Sequence, residues 1–492
     1  MKGKISLWSA MALFFINVSV SSAQGFDFRD LKAKDYMEDL ALLKEIIEKQ
    51  HPDPFKFITK EQWENHFKKS YKELDKEPTY LKFLNCIPKI KDGHFSIYAR
   101  DEFLDEYMKE KYTYFPVSVI ILENRMFVNT KNSKIPFLSE ITEINKRPIS
   151  DIINEIAGHV QGEGNIKSSV EDFITNDFSV SYSVYINSGV NSFEVRFKNS
   201  LSGNTVVNLE AIDYYELYSE REKKIAPLNK LELSSSIDYR FYKQKSTGKL
   251  TINTFDISEA EAYQKFKDFF TKIKEYGYEN VIIDVRTNRG GNPQIAAVLY
   301  SFIASGNFRN EFNYKAKAIK FVHPEFLVND NGVQVPESEV KSYENFIYQR
   351  FDLKDEMYIG NQRANAEITE DFPADKGAFS GKVYVLTSGN TYSASVYFAK
   401  LIVENKRGII VGKETGGSDG NTFAGYFLNY KLPKTKSTMR FSFTELFFGK
   451  NFQKVDTGVL PDKKLLLEER LSYLSQEKDP EVAYIFEKLI DQ

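Results

Sequence analysis

Apolar residues recur at helical spacing near the start of the chain and give way to alternation further on. In "DYMEDLALLKEIIEKQHP" the residues Met37, Leu40, Leu42, Leu43 and Ile46 follow a helical repeat, and Pro52 closes the run. "KEQWENHFKKSYKEL" continues in the same style, so residues 28–87 are expected to be mostly helical. From Tyr112, "YTYFPVSVIILENRMFVN" is dominated by β-branched and aromatic residues and its period shortens toward two, which marks a β-rich module. "IPFLSEITEINKRPISDIINEI" (135–156) predicts a short strand, a turn at Asn145-Lys146 and a helix that starts at Pro148. Residues 160–225, in the style of "SVYINSGVNSFEVRFKN", alternate as antiparallel strands do, with turns expected at Asn187-Ser188-Gly189 and Ser202-Gly203-Asn204.

From Gly248 the pattern becomes strand–helix alternation. "KLTINTF" (249–255) reads as a strand, "SEAEAYQKFKDFFTKIKEYG" as a helix opened by the capping pair Ser258 and Glu261, and "NVIIDV" (280–285) as a strand buried on both faces. Glycine-rich "NRGGN" (288–292) leads into Pro293, suited to a first helical turn, and the helix "PQIAAVLYSFIAS". "KVYVLTS" (382–388), a helix after Ser393 and "GIIVG" (408–412) repeat the unit, so the fold class is α/β with stacked strand–helix units. A polar stretch from Phe308 to Ser380, rich in Asn, Glu, Lys and Tyr, interrupts that rhythm, and a lid beside the site is the expectation for so long an insertion.

Composition narrows the function. A chain of 492 residues is expected to hold two or three domains. With 66 Lys and Arg against 69 Asp and Glu there is no electrostatic reason to expect nucleic acid or an anionic membrane as partner. Lys2 and Lys4 precede an apolar stretch from Ile5 to Val20, and Ser21-Ser22-Ala23 follows, which predicts a cleaved signal peptide over 1–23, export to the periplasm or exterior and no stable membrane insertion afterwards. No cysteine follows that stretch to carry a lipid anchor. The single cysteine, Cys86, leaves an exported chain without an internal disulfide and reads as a small buried hydrophobe. The five histidines show no pair at helical ligand spacing, so no dedicated metal site and no cofactor are expected.

Three stretches could carry chemistry: "KDGHFSIY" (91–98), "DVRTNRGGN" (284–292) and "SGNTYSASVYFA" (388–399). A serine opening a helix after a buried strand sits where backbone N–H groups and the helix dipole favour negative charge. Serine and threonine at that place also serve as caps, and a Gly-Gly pair between strand and helix serves turn geometry or phosphate binding. Residue pattern alone leaves these readings open.

Together the three stretches resemble the S41 peptidase family, which includes tail-specific (C-terminal processing) and tricorn-type proteases. Asp284-Val285-Arg286-Thr287-Asn288-Arg289-Gly290-Gly291 is similar to the family's Asp-Leu-Arg-x-Asn-x-Gly-Gly, "VGKETGG" (411–417) to its Gly-x-x-Thr-x-Gly and "TGVLPD" (457–462) to its Gly-Val-x-Pro-Asp. The resemblance implies a crotonase/ClpP-like catalytic domain over 231–470 with the insertion at 308–380. Before it come a helical segment over 24–110 carrying His94 and a PDZ-like, β-rich module over 111–230; a C-terminal helix over 471–492 follows. It also implies that Ser393 is the nucleophile, that the amides of Gly291 and Ala394 form the oxyanion hole, and that Ser395 belongs to the helix. The base of the tail-specific enzymes, a lysine in Thr-x-Gly-Lys-Gly, is replaced here by Ser418. Asp92-Gly93-His94 is similar instead to the tricorn-type Asp-x-His setting, which makes His94 the expected general base, with Lys413 as the alternative. The tricorn-type orienting glutamate is absent from "QKVDTGVLPD"; Asp456 is the expected orienter, Glu445 lies farther off, and Gly93 stands where a serine precedes the histidine. The activity implied is hydrolysis of peptides or unfolded protein tails, and the rival reading is an idle peptide-binding protein that kept the fold.

Overall fold

The computed structural model describes residues 27–131, 133–187, 189–199, 203–226, 234–365, 369–449 and 455–491. The expected signal peptide lies outside them, as do Ser188 and Ser202 of the two expected turns. Among the described residues no helix is long and apolar enough to cross a membrane.

The strand–helix alternation after Gly248 builds a five-stranded sheet in the order Ile409–Gly412, Lys382–Thr387, Asn280–Asp284, Thr247–Ile252, Ile237–Tyr242. The first four strands pair parallel and Ile237–Tyr242 closes one edge antiparallel. Both faces of Asn280–Asp284 and Thr247–Ile252 are buried, which is why they read as continuous rather than alternating apolar runs. Helices Glu259–Tyr276, Pro293–Ser301 and Ala394–Glu404 connect these strands, the first capped by Ser258 Oγ accepting the Glu261 N–H and ended by Gly277 in the left-handed region.

The N-terminal helices Ala33–Gln50, Lys60–Lys76 and Tyr80–Asn85 form where the apolar spacing placed them. They share one core with the strand–helix domain, where Leu40, Leu43, Trp63 and Phe83 belong to the same apolar cluster as Ile283, Val396 and Phe441. Buried Asp39 ties the two regions by accepting from the Thr435 N–H at 2.6 Å and the Thr435 hydroxyl at 2.7 Å. Strand Ser96–Tyr98 pairs antiparallel with Thr438–Ser442, Ser96 opposite Arg440, and so carries the preceding "DGH" turn to the C-terminal half of the chain. Cys86 is buried, and burial raises its thiol pKa.

Two regions differ from expectation. Residues 167–185 form one helix, kinked at Asp177, rather than strands, and only Ser192–Asn199 and Gly203–Glu210 pair as a hairpin. The "SVSYSVY" end alternates like a strand, but Ile174, Phe178 and Tyr182 recur every fourth residue, and that spacing packs the helix against Phe115 and Phe193. The 308–380 segment is built into the domain rather than laid over it as a lid. Phe312–Ala316 lies between Met357–Gly360 and Thr444–Phe448 in a second five-stranded sheet, and Leu327–Val328 extends the sheet that holds Ser96–Tyr98. Phe312, Tyr314 and Ala316 alternate into the core beneath a polar average composition.

Asp284 and Arg286 of the "DVRTN" stretch are structural. Arg286 Nη2 meets Asp284 Oδ2 and Asp479 Oδ2, both at 2.7 Å, its Nη1 meets Glu481 at 2.7 Å, and Lys249 Nζ lies 2.9 Å from Asp284. The network pins the C-terminal helices Leu467–Ser475 and Pro480–Tyr484 to the end of the main sheet. Burial opposes the Asp284 charge, but Arg286 and Lys249 outweigh it and hold the carboxyl well below its ordinary value of 3.8. Its stabilising share is therefore complete above that value and lost as pH falls below it. Urea midpoints measured from roughly pH 6 down to pH 2 are expected to fall less steeply for Asp284→Asn than for the unmutated chain. Arg286→Ala, which strands buried carboxylates, is expected to cost about 3–5 kcal/mol by the same measurement at neutral pH.

Candidate active site

Ser393 is the residue between strand Lys382–Thr387 and helix Ala394–Glu404, and its backbone is strained: φ 55°, ψ −121°. A non-glycine residue held there costs roughly 1–3 kcal/mol and persists only where its surroundings enforce it. The enforcement is visible. Thr391 Oγ1 accepts the Ser388 N–H at 3.0 Å and donates to the Val285 carbonyl at 2.9 Å, so it shapes the turn. The Asn288 carbonyl accepts both the Tyr392 N–H at 3.0 Å and the Ser395 hydroxyl at 2.6 Å, which leaves Ser395 buried and structural. Ser393 stays half-buried at the surface of the turn.

The glycine pair stands against this turn. Gly290 (φ +108°) has no room for a side chain, since a Cβ would lie 2.6 Å from Ser393 Cβ. Its N–H is taken by Asn288 Oδ1 at 2.8 Å. Gly291 (φ +128°) abuts the Phe255 carbonyl carbon, 2.2 Å from where its Cβ would be. Phe255 donates to the Gly290 carbonyl and accepts from the Asn292 N–H, a parallel bridge that leaves the Gly291 amide facing away from it. Neither the Gly291 nor the Ala394 N–H donates a hydrogen bond among the described residues. The first belongs to a glycine that packs on backbone, the second to the first residue of a helix whose dipole favours an anion.

His94 is 2 % exposed, and its Nδ1 lies 3.2 Å from Thr422 Oγ1, while Nε2 has no hydrogen-bond partner among the described residues. Burial pushes the imidazole down to about 4, with the Asp92 charge pulling it up and Arg440 pushing it further down, so the ring is neutral at pH 7. Asp92 braces the turn: its Oδ1 accepts the His94 N–H at 2.7 Å and its Oδ2 lies 3.3 Å from His51 Nε2. No hydrogen bond joins His94 to Ser393. Their turns nevertheless touch, because a Cβ on Gly93 would meet the Tyr392 ring and Glu163 Oε2, each at 2.8 Å. That contact gives the physical reason for glycine before this histidine.

Other site residues fall as follows. Asp456 is exposed and makes no hydrogen bond or ion pair with His94; the hydroxyl of Thr422 holds the ring instead. Glu445 is buried and engaged by Lys56 at 3.2 Å and Asn421 at 2.6 Å. Lys413 is drawn to Asp172 at 2.7 Å, and Ser418 Oγ donates to the Val455 carbonyl at 2.7 Å; neither bonds to Ser393. Thr422 and Glu163 escape a reading of the sequence. Glu163 lies in the turn before helix Lys167–Tyr185 and accepts the Gly93 N–H at 3.1 Å. Burial and then the Asp92 charge push its carboxyl up to about 8, against Lys56, the Gly93 N–H and Thr422. Only the Gly-Glu-Gly run at 162–164 marks it in the sequence, as a place of close backbone approach.

A strained serine at a helix start, two amides that donate no hydrogen bond among the described residues, and a neutral imidazole in a touching turn are the kinds of group a serine hydrolase uses. Residues 246–464 match the model of Peptidase family S41. The match over this segment supports a serine-type peptidase of that family, whose substrates would be peptides or proteins. No curated protein sequence matches it. Among solved structures it is similar to mature CPAF complexed with lactacystin, at 14% identity and TM-score 0.58, covering 92% of this chain and 99% of that one. A second structure of mature CPAF gives 14% identity and TM-score 0.56 over 93% and 99% of the two chains. At that identity the likeness is one of fold.

Gly290→Ala tests the packing at the turn. The added methyl, at a left-handed φ, is expected to displace Ser393, to lower stability by about 1–3 kcal/mol and to abolish turnover, read by thermal unfolding and by cleavage of an unstructured protein substrate.

Proposed function

We propose that the chain is an exported endopeptidase or carboxyl-terminal processing peptidase acting on peptides or unfolded protein tails, with Ser393 as nucleophile and His94 as general base. The observation that carries this reading is the strained backbone of Ser393 at the start of a buried helix, packed on Gly290. Thr422 occupies Nδ1 and leaves Nε2 as the nitrogen able to take a proton. In the first step Ser393 Oγ bonds to the scissile carbonyl carbon while its proton passes to His94 Nε2. The oxyanion that develops accepts from the Gly291 and Ala394 amides, where loss of one donor costs about 3 kcal/mol of transition-state stabilisation. His94 then returns the proton to the leaving amine, and water resolves the acyl-enzyme by the reverse sequence. Burial makes the resting imidazole a weak base, and no hydrogen bond joins it to Ser393, so the proton transfer needs the two side chains to come within hydrogen-bond reach.

An idle peptide-binding protein is the rival reading, and the lack of a Ser393–His94 hydrogen bond favours it. A fluorophosphonate probe separates the two. The unmutated chain is expected to be labelled and to cleave an unstructured protein. Ser393→Ala is expected to abolish both activities, and His94→Ala to lower labelling and turnover by at least about a hundredfold. Absence of labelling and cleavage in the unmutated chain would overturn the enzyme mechanism. Lys413→Ala, which releases Asp172, is expected to keep catalysis within about tenfold; loss of turnover there with His94→Ala active would move the base to Lys413.

A further inference from the structure

Three residues of ligand chemistry meet beside the nucleophile turn although the sequence separates them. Asp92, His94 and Glu163 each offer a ligand atom, and these atoms all lie within 4.8 Å of one another. The three side chains are buried, at 0%, 2% and 1% exposure. Two of them keep a buried polar atom without a hydrogen-bond partner among the described residues, His94 Nε2 and Glu163 Oε1. Dry, unpartnered polar atoms are costly, and two in one cluster point to a missing ligand.

We propose that Asp92, His94 and Glu163 bind a zinc-class divalent transition-metal ion, and that the bound ion withdraws His94 from proton transfer. The second half rests on the reading of His94 as the base. One imidazole nitrogen with two carboxylate oxygens is a donor set for zinc and its neighbours, whereas magnesium and calcium favour oxygen alone. A second layer holds the donors in place. His51 Nε2 lies 3.3 Å from Asp92 Oδ2, and the amides of His94 and Gly93 donate to Asp92 Oδ1 and Glu163 Oε2. Ligand atoms on one zinc ion stand roughly 3–3.5 Å apart, so the cluster closes on an ion by side-chain rotation. Of the cations nearby, Lys56 is compensated by Glu445 at 3.2 Å, and Arg440 stacks on Phe427 at 4.4 Å. A ring nitrogen whose lone pair is on the metal cannot accept the Ser393 proton. The peptidase is therefore silent with metal and released by a chelator.

Calorimetric titration of the full-length Ser393→Ala chain with zinc chloride is expected to show one ion per chain. Cobalt(II) chloride is expected to give visible ligand-field bands that zinc abolishes. Glu163→Gln and Asp92→Asn should each weaken zinc binding by at least about tenfold, and Cys86→Ser should leave it unchanged. No binding heat and no cobalt bands in the Ser393→Ala chain overturn the site, whatever the other variants do. Binding that depends on Cys86 and not on Glu163 overturns it as well. On the unmutated chain, zinc is expected to suppress fluorophosphonate labelling and a chelator to restore it. Binding without suppression removes the inhibitory role. If labelling fails with and without chelator, the Ser393–His94 mechanism falls, and calorimetry still decides the metal site.

Discussion

The approach of two turns, Asn288–Gly291 and Tyr392–Ser395, is the constraint on which the site depends. One carbonyl, that of Asn288, accepts from both the Tyr392 N–H and the Ser395 hydroxyl, and its side chain accepts the Gly290 N–H. Gly290 lies against Ser393 Cβ, and the serine is held at φ 55°, ψ −121°. The strain is sustained because helix Ala394–Glu404 behind it is buried along most of its length, so unwinding the turn would expose Val396, Phe398 and Leu401. The backbone strain at Ser393 is in this sense a product of apolar packing one turn away.

The β-rich module is part of the same construction. At Gly389, just before the serine turn, a Cβ would lie 2.0 Å from the Ser168 carbonyl oxygen, and Ser168 Oγ donates to the Thr415 carbonyl at 3.4 Å. The turn that precedes this helix reaches the histidine loop, with the Gly164 N–H on the Lys91 carbonyl at 2.9 Å and Glu163 on Gly93. The module thus contacts both of the loops that carry Ser393 and His94. Burial among three chain segments removes water from His94, Asp92 and Glu163 together, which lowers the imidazole pKa, raises that of the Glu163 carboxyl and leaves both side chains with a polar atom unpartnered among the described residues.

Much of the catalytic domain was legible because its signals are local. "NVIIDV" is apolar on both faces, Ser258 and Glu261 cap the next helix, Pro293 opens another, and each element forms where those residues stand. The helix 167–185 was not legible, since serines between valines and tyrosines satisfy a period of two and of four at once, and the packing partner decides between them. Phe312–Ala316 was hidden by its charged surroundings. In the site, Thr391, Ser393 and Ser395 could be sorted by position relative to the helix start. Asp456 stands beside the recognisable "TGVLPD" stretch but is exposed, while the group on His94 Nδ1 is Thr422 from a strand 328 residues away in sequence.

What the sequence determined by itself was whatever depends on neighbours within a few turns: the strand–helix units, the caps, the glycines that let backbones meet and the serine at a helix start. Tertiary structure decided everything that depends on burial and on distant partners. It carried His94 to the catalytic domain on a strand paired with Thr438–Ser442, removed room for a side chain at Gly93, and brought Glu163 beside Asp92. The physical reason is that hydrogen-bonded turns are set by local geometry, whereas desolvation and the fields of buried charges exist only once separate segments exclude water between them.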